Sequence, residues 1–448
     1  MRFRVGALMA VVGICAGAWA QEEVKPLTAA DCARLALERN RLARAAREEA
    51  EAARQSLRET GALRLPRLTT SAFYQRYDEP TTSSLGGAGS PGGPGAAPSA
   101  GGSSAFGGIE EIDTASVSLV QPLADQIGLG HAVGLARLEA AIAQLDEETA
   151  LNATAFGARK AYYSVLTFGK TVESVEHTIA ELEETLKVVR NYREQGRVLQ
   201  RDVNKADIAV DQAKLGLLQA QNALQSSKSS LRDVLGLELA GADAPGAELA
   251  LAPTEEIEPF ALTLEQCQAA AEVQRPELRA SELRSAAARR GVSLARSAYV
   301  PSLGASLSYQ WQDTDITRGD ESAAVGLSWS WDVWDWGKRR AAVRGAQAAG
   351  RAAALGYENA RSQVAIEIER LWLAVALARE RINVAKKDWD YAEENVRVSD
   401  QQYKAGTLLI TDLLDDQTQR SNARVGYYVA IYEYAIALAD LRRAMGER

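Results

Sequence analysis

Side chains that could bind a metal ion or act as nucleophiles are few and widely separated in this sequence. The 448 residues include two His, three Cys and three Met. His131 and His177 have no partner at ligand spacing, and Cys32 and Cys267 fit packing at helix seams better than a disulfide. No phosphate-binding loop, nucleophile motif or supported carboxylate pair is present. We therefore predict no catalytic residue, no metal, no cofactor and no enzymatic activity.

The charge balance argues against a nucleic-acid partner. The formal net charge is −8 at pH 7. Nucleic acids attract proteins with a basic face, because their phosphates must be neutralised. An acidic chain of this composition is not expected to bind them.

The N-terminus has the three parts of a secretory signal. Basic residues precede an apolar run over 5–16, and Ala18-Trp19-Ala20 forms a small–x–small cleavage site. We expect residues 1–20 to be a signal peptide, cleaved after Ala20. Ile14, the residue before Cys15, is too bulky for a lipoprotein cleavage site, so no lipidation is expected. No later stretch reaches the roughly 18 apolar residues of a membrane helix, so a membrane crossing would require strands.

The distribution of proline predicts two long helical tracts. The chain has twelve Pro, but none between 123 and 244 and none after 301. Proline in a helix interior costs about 3 kcal/mol, so long proline-free tracts favour long helices. Val364, Ile368 and Leu371 begin a series of 4-3 steps, the spacing of coiled-coil seams. The pattern over 125–192 corresponds to a helix of roughly 100 Å.

The chain is also a tandem repeat. Matched residues lie 235 positions apart before the segment 81–108 and 210 positions apart after it. The pairs include Thr28 with Thr263, Tyr74 with Tyr309, Gly196 with Gly406, and Asp202 with Asp412. Segment 81–108 is rich in Gly, Ser and Pro and accounts for the length difference. Its composition predicts a flexible loop, which we expect to be exposed.

Each repeat contains two segments in which apolar and small polar residues alternate, as in strands with one apolar face. About ten residues is enough for a tilted strand to cross a bilayer. Four strands cannot close a barrel, and open edges are not stable in lipid, so copies of the chain must close it as a cyclic oligomer. A soluble sandwich would show the same alternation. The Trp residues near the strand ends favour a membrane interface; these are Trp311, Trp329, Trp331, Trp334 and Trp336.

These patterns predict the following layout of the chain. Repeat one, 27–236, contains a helix, a strand at 65–77, a Gly-rich loop at 78–111, a strand at 112–122 and a helical hairpin at 125–236. A connector follows at 237–261. Repeat two, 262–446, contains a helix, strands at 300–312 and 322–332, and a helical hairpin at 335–446.

Three stretches carry a family resemblance in addition to this doubled plan. They are Ser328-Trp329-Ser330-Trp331-Asp332-Val333-Trp334-Asp335-Trp336-Gly337, Ala161-Tyr162-Tyr163, and Tyr403-Lys404-Ala405-Gly406-Thr407 leading to Asp412-Leu413-Leu414-Asp415. Together they resemble the TolC-like family of outer membrane efflux proteins over nearly the whole mature chain.

The resemblance implies an α+β membrane protein that works as a homotrimer. Four strands per protomer would form a 12-stranded β-barrel in outer membrane lipid, continued by a long periplasmic α-helical barrel with residues 237–261 as an equatorial connector. The implied partners are a periplasmic adaptor (membrane fusion) protein and an inner membrane transporter. The implied function is the exit duct of a tripartite efflux or type I secretion system, with small-molecule or drug efflux as the expected role.

The resemblance also assigns residues to a closed periplasmic aperture. Asp412 and Asp415 fall where the family places acidic rings, which favour cations. Asp202 belongs to the same region, and Tyr403 matches a gating-lock tyrosine. Leu408 stands where an Arg would complete that lock, so hydrophobic contacts are expected to hold the closed state. Capping of the returning helix is an alternative role for Asp412, because anions are favoured there.

Gly196 and Gly406 match turn glycines that the family presents to the adaptor. Left-handed turn geometry is an equally good reason for glycine at both positions. Two other functions stay open at this point. One is a duct for type I protein secretion, and the other is a soluble periplasmic coiled-coil scaffold or adaptor, which would have no use for the strands and the Trp residues.

Overall fold

The computed structural model describes residues 26–81, 109–237, 250–252, 259–314 and 319–447. The expected signal peptide 1–20 lies outside these residues. So do nearly all of the Gly-rich segment 81–108 and most of the connector 237–261.

Each repeat contributes two shorter helices, two strands and a long helical hairpin. In the first repeat these are α1 (Ala29–Arg39), α2 (Arg41–Ala62), β1 (Arg67–Thr81), β2 (Ile109–Pro122), α3 (Gln126–Glu194) and α4 (Gln200–Val234). In the second they are α5 (Leu264–Gln274), α6 (Pro276–Ser297), β3 (Ser302–Thr314), β4 (Asp320–Ser330), α7 (Lys338–Lys404) and α8 (Ile410–Met445). The first strand pair extends into the predicted loop 78–111, because pairing continues to Thr81 opposite Ile109.

The single helix predicted before each strand pair is divided in two in both repeats. Asn40 has an extended backbone, with ψ 135°, and its Oδ1 accepts a hydrogen bond of 2.7 Å from the Leu42 N–H. At the matching position Arg275 ends α5 and Pro276 begins α6. A proline disfavours helical backbone in the residue before it and suits the first helical position, so it marks the break.

The four strands form one antiparallel sheet in the order β1-β2-β3-β4. The pairing of β2 with β3 joins the two repeats, for example at Val117 opposite Tyr309. β1 and β4 are the edges of the sheet.

The long helices pack as two hairpins, α3 with α4 and α7 with α8, and α3 also packs on α8. Val364, Ile368 and Leu371 are buried on the seam of α7, as their spacing predicts. On α3 the buried seam includes polar residues, since Ser174 and Thr178 are buried while the nearby Val172 and Val175 are only half-buried. The physical reason is that α3 contacts two neighbouring helices, which apolar periodicity along one helix does not reveal. Among the described residues, no helix is both long and apolar enough to cross a bilayer.

Candidate functional site

The tips of both hairpins end in the same glycine turn. Gly196 and Gly406 have φ values of 72° and 79°. The Arg197 N–H donates to the Tyr192 carbonyl (2.8 Å), and the Thr407 N–H donates to the Gln402 carbonyl (3.0 Å). These six-to-one bonds satisfy helix-end carbonyls in a Schellman motif, which requires left-handed backbone. Both glycines are exposed, and an added Cβ would meet no atom within 4 Å.

A shared apolar cluster joins the two tips. Tyr403 of α7 is buried, and its ring centroid lies 6.1 Å from that of Tyr192 of α3. Leu408 is half-buried against the same cluster, which includes Ile410 and Leu413 of α8. The position that lacks an Arg is therefore used for hydrophobic packing between the repeats.

The Tyr403 hydroxyl is buried and has no hydrogen-bond partner among the described residues. Burial, and secondly the nearby Asp202 carboxylate, raise the pKa of Tyr403. Asp202 itself accepts a hydrogen bond from the Leu199 N–H (3.2 Å) at the start of α4 and lies 3.5 Å from the Arg201 guanidinium. Asp202 and Tyr403 thus line one cavity of about 240 Å³ without a hydrogen bond between them.

Asp412 and Asp415 are exposed near the start of α8. Among the described residues, Asp412 receives one side-chain hydrogen bond, of 3.4 Å from the neighbouring Thr411 hydroxyl, and no side chain there caps the start of α8. Neither carboxylate forms an ion pair within the described part of the chain. Asp412 therefore makes no capping hydrogen bond like that of Asp202, although it lies in the first turn of α8, where an anion is favoured.

A line of polar contacts, which we call the polar seam, joins α3 to α8 further from the tips. Thr178 and Ser421 share a hydroxyl–hydroxyl bond of 2.7 Å, and Gln417 donates to the Thr185 hydroxyl at 3.0 Å. Between them the Arg420 guanidinium donates to the Glu181 carboxylate, with side chains only 15% and 25% exposed. Sequence reasoning missed this seam. The available signal was the helical spacing of polar residues at 178, 181 and 185.

The sheet has one apolar face and one polar face. One cross-strand row on the apolar face consists of Leu68, Leu119, Leu307 and Val325. The next row, on the other face, consists of Thr69, Ser118, Ser308 and Ala324. No described helix covers the apolar row, and Val325 is 84% exposed. An apolar face of this size that stays open to solvent marks a surface for lipid or protein.

The Trp residues occupy two different ends of the sheet. Trp329 and Trp331 lie at the end of β4 that leads into α7, with ring centroids 6.5 Å apart. Trp334 and Trp336 follow in the β4–α7 link and form an edge-on pair at 5.8 Å. Trp311 lies at the opposite end, where it pairs with Glu321 of β4. The structure therefore separates Trp311 from the other four.

The residues first considered for metal or redox chemistry lie apart. No group of three or more His, Cys, Asp and Glu in the described ranges is arranged for a metal ion. Cys32 and Cys267 are buried free thiols at matching positions of α1 and α5, and burial raises the pKa of Cys32 to about 11. His177 Nδ1 lies 3.1 Å from the Glu181 carboxylate, beside the polar seam.

Comparison with known proteins adds independent findings. A family model described as outer membrane efflux protein matches residues 32–237 and 269–447. Protein CyaE of Bordetella pertussis is 30% identical over 174 residues, which are 38% of this chain and 37% of that protein. Outer membrane protein TolC of Escherichia coli is 24% identical over 353 residues, 74% of this chain and 69% of that protein.

The solved structure of the CmeC outer membrane channel of Campylobacter jejuni superposes with a TM-score of 0.78. The match covers 100% of this chain and 94% of that one at 15% identity, so it demonstrates a shared fold.

Proposed function

The chain belongs to the outer membrane efflux protein family, and from that premise we propose that it forms the outer membrane duct of a tripartite efflux system. In this proposal three copies close a 12-stranded barrel, and their long helices form a periplasmic tunnel. An inner membrane transporter and a periplasmic adaptor deliver small molecules to it, and no chemical step occurs. Protein substrates of a type I secretion system are the alternative cargo.

The observation that carries the proposal is the uncovered apolar face of a sheet whose two edges are open. Unpaired edges and an apolar surface are both unfavourable in water. Pairing β4 of one copy with β1 of the next would satisfy the edges, and lipid would cover the row that includes Leu307 and Val325. α3 follows β2 after only three residues and α7 follows β4 after seven, so the helices would continue the barrel away from the bilayer.

The hairpin tips support an aperture at the far end of the tunnel. Asp412 and Asp415 are exposed and unpaired, so threefold copies would form two acidic rings that concentrate cations. The apolar cluster around Tyr403 and Leu408 would hold the tips together in the closed state. The exposed turns at Gly196 and Gly406 would contact the adaptor.

Reconstitution tests the proposal directly. The mature protein, purified in detergent, is added to planar bilayers and examined by single-particle imaging. We expect threefold particles, discrete conductance steps and block by divalent cations. Purification as a water-soluble monomer without detergent would instead support a periplasmic scaffold.

Two further measurements test the acidic rings and the cargo separately. Asp412→Asn combined with Asp415→Asn is expected to weaken divalent block at least about tenfold, because each ring loses its charge. Asp207→Asn with Asp211→Asn, on α4, is the charge-matched control.

Deletion of the gene is expected to raise sensitivity to drugs, dyes or bile salts; an unchanged drug profile with loss of one secreted protein would establish the secretion alternative.

A further inference from the structure

The link between β4 and α7 presents a tryptophan in an unusual backbone conformation. Trp336 has φ 55° and is the only non-glycine residue with positive φ among those described. Bulky side chains are disfavoured in this left-handed region because Cβ crowds the following carbonyl. The Trp336 side chain is also 91% exposed, so burial within the chain does not compensate for the strain.

The link is held rigidly by its own polar contacts. Asp335 accepts hydrogen bonds from the Gly337 N–H (3.1 Å), the Arg339 N–H (3.0 Å) and Arg339 Nε (2.6 Å). Arg339 is only 14% exposed, and its guanidinium lies over the Tyr299 ring at 5.3 Å. These contacts on both sides of Trp336 hold the link in this conformation, in which the Trp336 side chain lies outside the core.

The exposed aromatic surface continues the apolar face of the sheet. Trp334 is 75% exposed and pairs edge-on with Trp336. Trp331 and Trp329 lead from this pair back to the lipid-facing row of β4. Tryptophan in this position, between an apolar band and a polar extension, is typical of the headgroup level of a bilayer.

Three cationic side chains follow the Trp334–Trp336 pair directly in the sequence. Lys338, Arg340 and Arg344 occupy the first two turns of α7, and all three are exposed. None has an ion-pair partner within the described ranges, in contrast to Arg339, which is bound to Asp335. Cations beside interfacial aromatics are complementary to anionic lipid headgroups.

We propose that the β4–α7 link is a binding site for anionic phospholipid in the inner leaflet of the outer membrane. Trp334 and Trp336 insert at the level between headgroups and acyl chains, and Lys338 and Arg340 bind the headgroup phosphates. The proposal rests on the proposed membrane function. It adds a lipid class and a site for it to that function.

The test uses mature protein in nanodiscs that contain phosphatidylglycerol and phosphatidylethanolamine, with one or the other carrying brominated acyl chains. We expect Trp fluorescence to be quenched more strongly by brominated phosphatidylglycerol. Lys338→Gln with Arg340→Gln is expected to lower the anionic preference about fivefold or more. Lys386→Gln with Lys387→Gln is the matched control, because these exposed residues lie about 70 Å further along α7.

A second variant separates lipid binding from folding. Trp336→Gly relieves the positive φ, so its thermal midpoint in detergent is expected to equal or exceed that of the parent. The same variant is expected to retain fewer phosphatidylglycerol molecules per particle in native mass spectrometry. Full retention by Trp336→Gly would contradict the insertion of Trp336 among the lipids, and full retention by Lys338→Gln with Arg340→Gln would contradict the headgroup site.

The remaining outcomes are also decisive. Protein that never inserts into nanodiscs contradicts the membrane function itself. Inserted protein that is quenched equally by both lipids contradicts only the anionic site. Trp fluorescence that resists both brominated lipids would show that a neighbouring copy of the chain covers Trp334 and Trp336.

Discussion

At the residue scale, Tyr403 is the buried aromatic residue at which the two hairpin tips meet. Its ring packs between the tips, whereas its hydroxyl is buried without a partner among the described residues. The nearby Asp202 carboxylate instead accepts a hydrogen bond from the Leu199 N–H at the start of α4. The contact between the tips thus consists of apolar packing that includes Leu408, without a hydrogen bond from the Tyr403 hydroxyl among the described residues.

This arrangement predicts the effect of Tyr403→Phe. Removing an unpaired buried hydroxyl is expected to leave the free energy of unfolding unchanged or to raise it by up to about 1 kcal/mol. The pKa of the Tyr403 phenol is higher in the folded state than in the unfolded state. The contribution of this titration to stability is therefore fully present below about pH 10, and it is lost as pH rises through the raised folded-state pKa. The variant lacks this loss, so its alkaline unfolding midpoint should be higher.

Chemical denaturation in detergent at pH 7 and at pH 10–11 measures both effects of Tyr403→Phe. A loss of more than about 2 kcal/mol at pH 7 would indicate that the hydroxyl gains a partner in the assembled oligomer.

At the element scale, the glycines that end the long helices have different surroundings despite the same turn. Gly196 at the tip has φ 72° and open space around it. Gly236, which ends α4, has φ 67°, and an added Cβ would lie 2.4 Å from the Arg39 carbonyl oxygen between α1 and α2. The Asn40 amide also donates to the Val234 carbonyl at 2.7 Å, so this junction is closely packed.

The comparison predicts unequal costs for alanine. Gly196→Ala is expected to lose about 1 kcal/mol, the cost of left-handed backbone alone. Gly236→Ala is expected to lose about 3 kcal/mol, because the backbone of two elements must also move. Thermal and denaturant midpoints of the two variants in detergent measure the difference. Equal losses of stability in the two variants would show that the backbone at the α1–α2 junction moves to accommodate the added Cβ at little cost.

At the scale of the whole molecule, the two repeats are joined at several levels, which include the packing of α3 against α6. β2 pairs with β3 in the sheet, the tips share one apolar cluster, and the polar seam lies between α3 and α8. The seam is a polar connection, and Arg420–Glu181 is its least exposed charged pair. We expect a half-buried pair of this kind to help set the register of the two helices.

A double-mutant cycle tests that connection. Glu181→Gln and Arg420→Gln are each expected to destabilise the protein, with a coupling energy of about 1–2 kcal/mol. Glu394→Gln and Arg397→Gln form the control cycle, because that pair lies within α7 with side chains 57% and 59% exposed. The control coupling is expected to be about 0.3–0.5 kcal/mol. Similar coupling energies in both cycles would show that the Glu181–Arg420 pair joins the repeats no more strongly than an exposed pair would.

The sequence by itself determined the repeated plan and the type of each major element. Proline-free tracts, alternating strands and glycine turns are local features, because each depends on a few neighbouring residues and on backbone geometry. For the same reason the strand bounds were off by only a few residues. The helix breaks at Asn40 and Arg275 were missed, although each is set by one local cap or proline.

Only the tertiary structure decided which surfaces meet. The polar seam, the separation of Trp311 from the other Trp residues and the exposure of Trp336 depend on how the elements are arranged in space. Periodicity shows that a helix or strand has a distinct face, but not which partner covers it. That choice follows from packing between elements, which depends on all of them together.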